Sequence, residues 1–337
     1  MPENSASLGV VVELENIEAA GADRALTNLR ELQRQVSTLA NKPQGPIQFI
    51  VVYDSLIFSA DDAQRFISET GIGDNPLIEA RAVGAKGIHY YEHKNIGLAH
   101  CETDNILLMD SDILIEPQWL EHMLSAFEDE QVDFVSGNTH IETPRLFDKI
   151  YALTDPGFPL NTQDRKGLQQ TDLIMANSFA FRRSAAPDPL FPRINAYRGH
   201  CAIASQQLIR EGKTLFKQYD AIARHPSQGS YREYLARAYA EGCDAIALSR
   251  FNNRQTSSAK LNRSILGTGL RFVRGIRGLV SRAVTKRHAV DLPLWGVPIA
   301  IAVGLSYFAM RVVGEIAMFI NAPAAQRLSI AKQVTQG

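Results

Sequence analysis

Residues 106–112, Ile-Leu-Leu-Met-Asp-Ser-Asp, put two carboxylates at the end of an apolar run. Four apolar residues in succession, Ile106 to Met109, predict a strand covered on both faces of a sheet. Asp110 and Asp112 stand two residues apart, so in an extended segment their side chains point the same way. In open α/β sheets the ligand lies just beyond the carboxyl ends of the strands. Two hard oxygen donors at such a place suit Mg²⁺ or Mn²⁺, which share the rest of their coordination with phosphate and water. The competing reading is a capped turn, since Asp-Ser-Asp is ordinary turn chemistry. Their position after an apolar strand favours the metal. Glu116-Pro117 then ends the extended run, and Gln118 to Phe127 reads as a helix with proline in its first turn.

Other segments deliver polar groups in the same manner. Leu8 to Leu14 reads as a first strand, with Glu13, Glu15 and Asn16 at its carboxyl end. Leu26, Leu29, Leu32, Val36 and Leu39 recur at helical spacing, so Ala25 to Leu39 is a helix lying on the sheet. Ile47 to Tyr53 is a second strand, ending in Asp54-Ser55. Strand, helix and strand in this order make a parallel unit with a right-handed crossover. Gly87 to Tyr91 and Val132 to Ser136 read as further strands. Pro144 to Asp172 is polar and irregular, as a substrate loop or lid would be. Ile174 to Arg183 is strand-like, Cys201 to Glu211 is a helix closed by Gly212, Thr214 to Ala223 is a strand, and Tyr231 to Ala240 is a helix.

The 337 residues suffice for one large α/β domain with an appendage, or for two modest domains. Three cysteines, Cys101, Cys201 and Cys243, have no Cys-x-x-Cys spacing, which points to a reducing compartment and away from a zinc site or disulfide frame. The first residues have no basic and apolar regions of the kind a signal peptide needs. The net charge of −1 hides an asymmetry. From residue 251 onward twelve bases face two acids, Asp291 and Glu315, a balance of +10 that leaves −11 before it. Such a split predicts an acidic soluble domain and a basic tail meeting an anionic surface.

Within the tail, Ile265 to Val284 reads as a basic amphipathic helix. Leu266, Leu270, Val273, Ile276, Val280 and Val284 fall on one side and Arg271, Arg274 and Arg282 on the other, with Arg277 inside the apolar face. Leu292 to Met310 carries no charge and is long enough, as a helix, to cross a hydrocarbon core of about 30 Å. Three readings compete: a membrane-embedded helix or re-entrant pair, interfacial helices on anionic lipid, and an apolar hairpin buried against a partner or second subunit. Membrane association is favoured over the third. Nucleic acid is not an expected partner, because exposed aromatics are not interleaved with the basic run.

The ordered set of motifs resembles the family-2 glycosyltransferases over roughly residues 8–245. The features that carry it are the strand ending in Asp54-Ser55, Lys94-Asn95-Ile96-Gly97, Asp110-Ser111-Asp112 followed by Pro117 and Trp119-Leu120, and Asn177 to Arg183. The helix ending at Gly212 and the late Arg224-His225-Pro226 complete it. The resemblance implies a GT-A-like α/β fold, a mostly parallel Rossmann-like sheet flanked by helices, here with a C-terminal basic and apolar helical appendage. It implies that Asp54 contacts the nucleotide, with Glu13, Glu15 and Asn16 beside it, and that Lys94 and Asn95 face the nucleotide or diphosphate. Asp110 and Asp112 would hold Mg²⁺ or Mn²⁺, with His225 approaching the same ion. Where the family carries Glu-Asp at the start of the late helix, this chain has His200-Cys201. His200 therefore becomes the candidate base, against the alternative of a buried structural histidine, and Arg198 a candidate phosphate or acceptor contact.

These readings together predict a glycosyltransferase domain over 1–250, a basic amphipathic segment over 251–291, an apolar membrane-associated helix or hairpin over 292–320 and a tail over 321–337. The expected reaction moves a sugar from a nucleotide-sugar donor to a hydroxyl of a lipid-linked or glycan acceptor, with inversion, at the cytoplasmic face of the cell membrane. A nucleotidyltransferase on a similar sheet and a catalytically degenerate, membrane-tethered binding module are the competing functions.

Overall fold

The carboxyl ends of four parallel strands define the site edge of this protein. The computed structural model describes residues 6–15, 17, 21–154, 160, 165–227, 229–252 and 265–334. Asn16 lies outside the described residues. In chain order the elements are β1 (Leu8–Glu13), α1 (Ala22–Thr38), β2 (Ile47–Asp54), α2 (Ala60–Glu69), β3 (Ile78–Ala85), α3 (Tyr90–Ala99), β4 (Asn105–Asp110), β5 (Leu114–Ile115), α4 (Trp119–Ser125) and β6 (Phe134–Ile141). They continue as α5 (Leu146–Thr154), β7 (Leu168–Thr171), β8 (Ser178–Arg182), α6 (His200–Arg210), β9 (Leu215–His225), α7 (Tyr231–Asn252), α8 (Ile265–Thr285) and α9 (Gly296–Val334). Two compact units are formed, one from residues 1–139, 163–193 and 200–225, the other from 140–162, 194–199 and 226–337.

The sheet runs β3-β2-β1-β4-β8-β6-β9-β5, with β7 also on β9. β3, β2, β1 and β4 are mutually parallel, whereas β8 joins β4 and β6 antiparallel, and β9 joins β5 and β7 antiparallel. Alternation along the strands explains why they read as unbroken apolar runs. Val10, Val12, Leu107 and Met109 enter one core, which contains Leu29, Leu32 and Val36 of α1. Val11, Ile106 and Leu108 enter the other, with Tyr91 and Leu98 of α3. Both faces are covered, as parallel strands require.

The strand expected over Gly87 to Tyr91 is instead the entry to α3. The His89 ring nitrogen Nδ1 accepts the Tyr91 N–H, capping a helix that begins at Tyr90. The strand next to β2 is Ile78–Ala85, in which only the two end residues are buried. An edge strand with one polar side gives no apolar run to read. α2 also escapes the apolar-run signal, although a reciprocal Ser59–Asp62 capping box marks its start. Within Pro144 to Asp172, α5 and β7 occupy stretches expected to be irregular.

The second unit is helical, with Tyr151, Tyr234 and Tyr307 buried at its centre. α7 and α9 pack at small residues, Gly242 facing the Arg311 carbonyl and Gly314 facing the Tyr239 carbonyl. α9 is bent at Asn321, two residues before Pro323, whose ring cannot continue the helical hydrogen bonding.

Gly97 sets the height of α3 above the sheet, because a Cβ there would collide with Val11 of β1 and press on Val52 of β2. Gly97→Ala should therefore lift α3 and cost roughly 1–3 kcal/mol, read as a lowered denaturation midpoint with an unchanged slope.

Candidate active site

Strand register creates the central feature. β1 and β4 are parallel neighbours in which Glu13 lies opposite Asp110. Two residues earlier on each strand, Val11 and Leu108 face the core beneath α3, so Glu13 and Asp110 face α3 as well. Lys94, on α3 and 1% exposed, reaches both. Its Nζ is 2.5 Å from Asp110 Oδ1 and 3.8 Å from Glu13 Oε1. Burial alone would pull the lysine down, but Asp110 and Glu13 outweigh it and hold its pKa above the ordinary value. Burial pushes the Glu13 carboxyl up to about 8 against the pull of Lys94, and Asp110 adds to the rise.

A second group of polar side chains adjoins this one. Burial raises Glu15 to about 7, with Lys94 opposing and Asp54 reinforcing the rise. His93 Nδ1 lies 3.5 Å from Glu15 Oε2, and the ring is fully buried. Burial lowers that imidazole to about 4, so near neutral pH the contact joins a carboxyl to a neutral ring and is no ion pair. Asp54 ends β2 and its Oδ1 accepts the N–H groups of Leu56 and Gly87, which folds the following loop back over the strand end.

Asp110, Asp112 and His225 form a cluster in which one ligand atom from each lies within 4.8 Å of the other two. β5 and β9 bring this about, because their antiparallel pairing places Leu114 opposite Arg224 and so sets the Asp112 turn beside His225. His225 Nε2 is 3.5 Å from Asp112 Oδ2. Burial raises the Asp112 carboxyl while His225 pulls the other way. Asp112 Oδ1 is buried and has no hydrogen-bond partner among the described residues. An orphaned carboxylate oxygen beside a second carboxylate and an imidazole fits a divalent cation, which would supply the missing partner.

Arg24 is the residue that sequence reasoning missed. From the first turn of α1 its Nε donates to the Asp112 carbonyl and its Nη2 to the Arg224 carbonyl, 3.1 Å away. It thereby ties together the two backbone segments that bear Asp112 and His225. No sequence pattern marks it, since a lone arginine at a helix start resembles any solvated one. His93, likewise unmarked by any sequence pattern, is buried against Glu15.

The remaining candidates are placed differently. His200 opens α6 at 2% exposure, its ring stacked on those of Tyr91 and His89 with centroids 4.2 and 4.7 Å away. Asn95 spends its amide on the Phe191 backbone, donating to the carbonyl at 2.8 Å and accepting the N–H at 3.1 Å. Arg198 belongs to the second unit, where it pairs with Glu241 at 2.6 Å, while Asp244 accepts the N–H groups of Tyr197 and Arg198.

Residues 29–188 match the model of the glycosyl transferase family 2. The chain carries a family 2 glycosyltransferase domain. Lys94, Asp110 and Asp112 of the glycosyltransferase fall inside that stretch, and His200 and His225 beyond it. Among solved structures, the mannosyltransferase PcManGT from Pyrobaculum calidifontis, in complex with GDP-Man and Mn²⁺, is similar with a TM-score of 0.55. It is 14% identical over 94% of this chain and 88% of its own. Residues 1–349 of S. aureus TarS align with a TM-score of 0.47 at 13% identity, over 93% of this chain and 91% of that one. No curated protein matches the sequence. The shared architecture with the mannosyltransferase is the GT-A fold.

Replacing Lys94 should expose how much the glycosyltransferase depends on it. Lys94→Met leaves two buried carboxyls without their cation, and stability should fall by about 3–5 kcal/mol in chemical denaturation. The deficit should narrow as the pH is lowered. Without the cation both acids take up protons more readily in the folded state than in the unfolded one, so acid favours the fold.

Proposed function

We propose that the protein transfers a sugar from a nucleotide-diphosphate donor to a hydroxyl of a lipid-linked or glycan acceptor, using Mg²⁺ or Mn²⁺. The observation that carries this reading is the cluster of Asp110, Asp112 and His225 beside Lys94, inside and just beyond a family 2 domain. The mannosyltransferase that shares the fold was solved with a nucleotide sugar and Mn²⁺, a ligand pair of the class proposed here.

In this reading Asp110, Asp112 and His225 hold the ion, which when bound neutralises charge on the departing diphosphate. Lys94 pairs with Asp110 and aims it, and Arg24 fixes the backbone on which Asp112 and His225 sit. Asp54, Glu15 and Glu13 line the nucleotide end, with Asn95 bracing α3 through the Phe191 backbone. His200 accepts the proton of the acceptor hydroxyl as that oxygen attacks, acting as general base. Arg198 is assigned to the acceptor side. Attack by the hydroxyl on the face opposite the leaving nucleotide inverts the anomeric centre. The basic and apolar residues from 251 onward attach the enzyme to anionic lipid on the cytoplasmic face of the cell membrane.

Calorimetry with UDP and with GDP, each with and without Mn²⁺, tests the donor and metal assignment. Binding that requires the ion, and that weakens about 100-fold or more in Asp112→Asn, is the expected result. Metal-independent binding in both proteins would refute the ion's role. His200→Gln should lower kcat by about 10²–10⁴ and leave nucleotide affinity unchanged, while His200→Ala, which empties a buried, stacked position, should also lower the melting temperature. Loss of the melting temperature with kcat intact would make His200 a packing residue.

A further inference from the structure

A helix on the surface of a water-soluble fold turns its apolar stripe inward. α8 does the reverse. Leu266, Leu270, Val273, Val280 and Val284 follow one another down a single face and all are exposed, Leu266 by 66% and Val273 by 63%. The stripe from Leu266 to Val284 is about 27 Å long at helical rise. The face that α8 buries carries Leu279 and Ala283 together with polar groups. There Thr268 donates to Glu315 at 2.6 Å, Arg271 pairs with the same carboxylate at 2.5 Å, and Gly275 admits the Phe308 ring.

The exposed cations are arranged with the stripe. Arg277 stands within it, Arg274 beside it and Lys286 just past its end. From residue 245 to 290 the chain has ten lysines and arginines and no acid. Aliphatic side chains ringed by unopposed cations complement a surface that is apolar a few ångströms below a layer of phosphates. We propose that α8 lies flat in the surface of an anionic lipid bilayer, its Leu and Val stripe among the upper acyl chains and Arg274, Arg277 and Lys286 at the phosphates. This rests on the membrane-associated reading above and gives it a mode of attachment.

Among the described residues α9 is the helix long and apolar enough to cross a membrane, and its packing assigns it elsewhere. Tyr231 of α7 donates to Ser306 at 2.6 Å, Cys243 to the Gly314 carbonyl and Arg250 to the Met318 carbonyl at 3.1 Å. α7 thus accompanies α9 throughout that stretch, bearing Arg232, Glu233, Arg237, Glu241 and Asp244. Hydrocarbon would not admit such a companion. Glu315, inside α9 and 1% exposed, pairs with α8. Bound along one side to α7 and α8, α9 is not free to cross hydrocarbon alone, and the attachment is in-plane.

The test is flotation of the full-length protein on vesicles of phosphatidylcholine, with or without phosphatidylglycerol. The protein should float with the anionic vesicles, lose affinity as salt is added, and be stripped by alkaline carbonate, which leaves a spanning helix in place. The double variants Leu266→Asp/Val273→Asp and Arg274→Glu/Arg277→Glu should each lose roughly tenfold or more in affinity for anionic vesicles. All four positions are exposed, so melting temperature and calorimetric nucleotide affinity should not change. Those readouts separate failure of the docking face from failure of the transferase assignment. Equal binding to neutral vesicles, carbonate-resistant binding, or undiminished flotation of the variants would overturn the proposal. So would a lipid-independent dimer that the aspartate variant splits, which would make the stripe a subunit interface.

Discussion

Two acids that neighbouring strands force side by side govern the rest of the first unit. Parallel pairing of β1 with β4 leaves Glu13 no position but the one next to Asp110, and both are buried. Burying even one unpaired carboxylate costs several kcal/mol, and two adjacent ones repel as well. Lys94 is the compensation, and its own burial is tolerated only because both acids face it. With Asp112 added, three carboxyls surround one ammonium, so the cluster retains an affinity for positive charge. The raised pKa of Glu13 is the same imbalance expressed as a held proton.

Everything that aligns Lys94 and the Asp112 turn follows from this arrangement. Gly97 lets α3 approach the sheet closely enough for a lysine to reach across two strands. Asn95, one residue along from that lysine, pins the helix to the backbone at Phe191. On the other side, the antiparallel half of the sheet supplies what a purely parallel one would not. β9 runs back past β5 and ends at His225, so a residue late in the chain meets Asp112. Arg24 then fastens the two segments through their carbonyls, a link made with backbone acceptors.

The second unit obeys a different rule. Its helices bury polar side chains, among them Glu315, paired with Arg271 of α8, and Asp244, which accepts the N–H groups of Tyr197 and Arg198. Its aliphatic residues, by contrast, stand on the outside of α8, and along α9 Leu305, Val313, Ile316 and Ile320 do the same. A contiguous apolar surface of that kind marks an interaction face.

Composition and period determined α1, α4, α6, α7 and α8, the buried strands and the carboxylate pair at the end of β4, because each is a local pattern of a few residues. They also determined that the tail is basic and apolar. Which way α8 would turn its stripe was beyond them, since periodicity fixes that a face exists and says nothing of what covers it. The edge strand β3, the Arg24 link, the burial of His93 and the register of Glu13 against Asp110 likewise came from tertiary structure alone. Each depends on which segments meet across the sheet, and that is settled by long-range pairing.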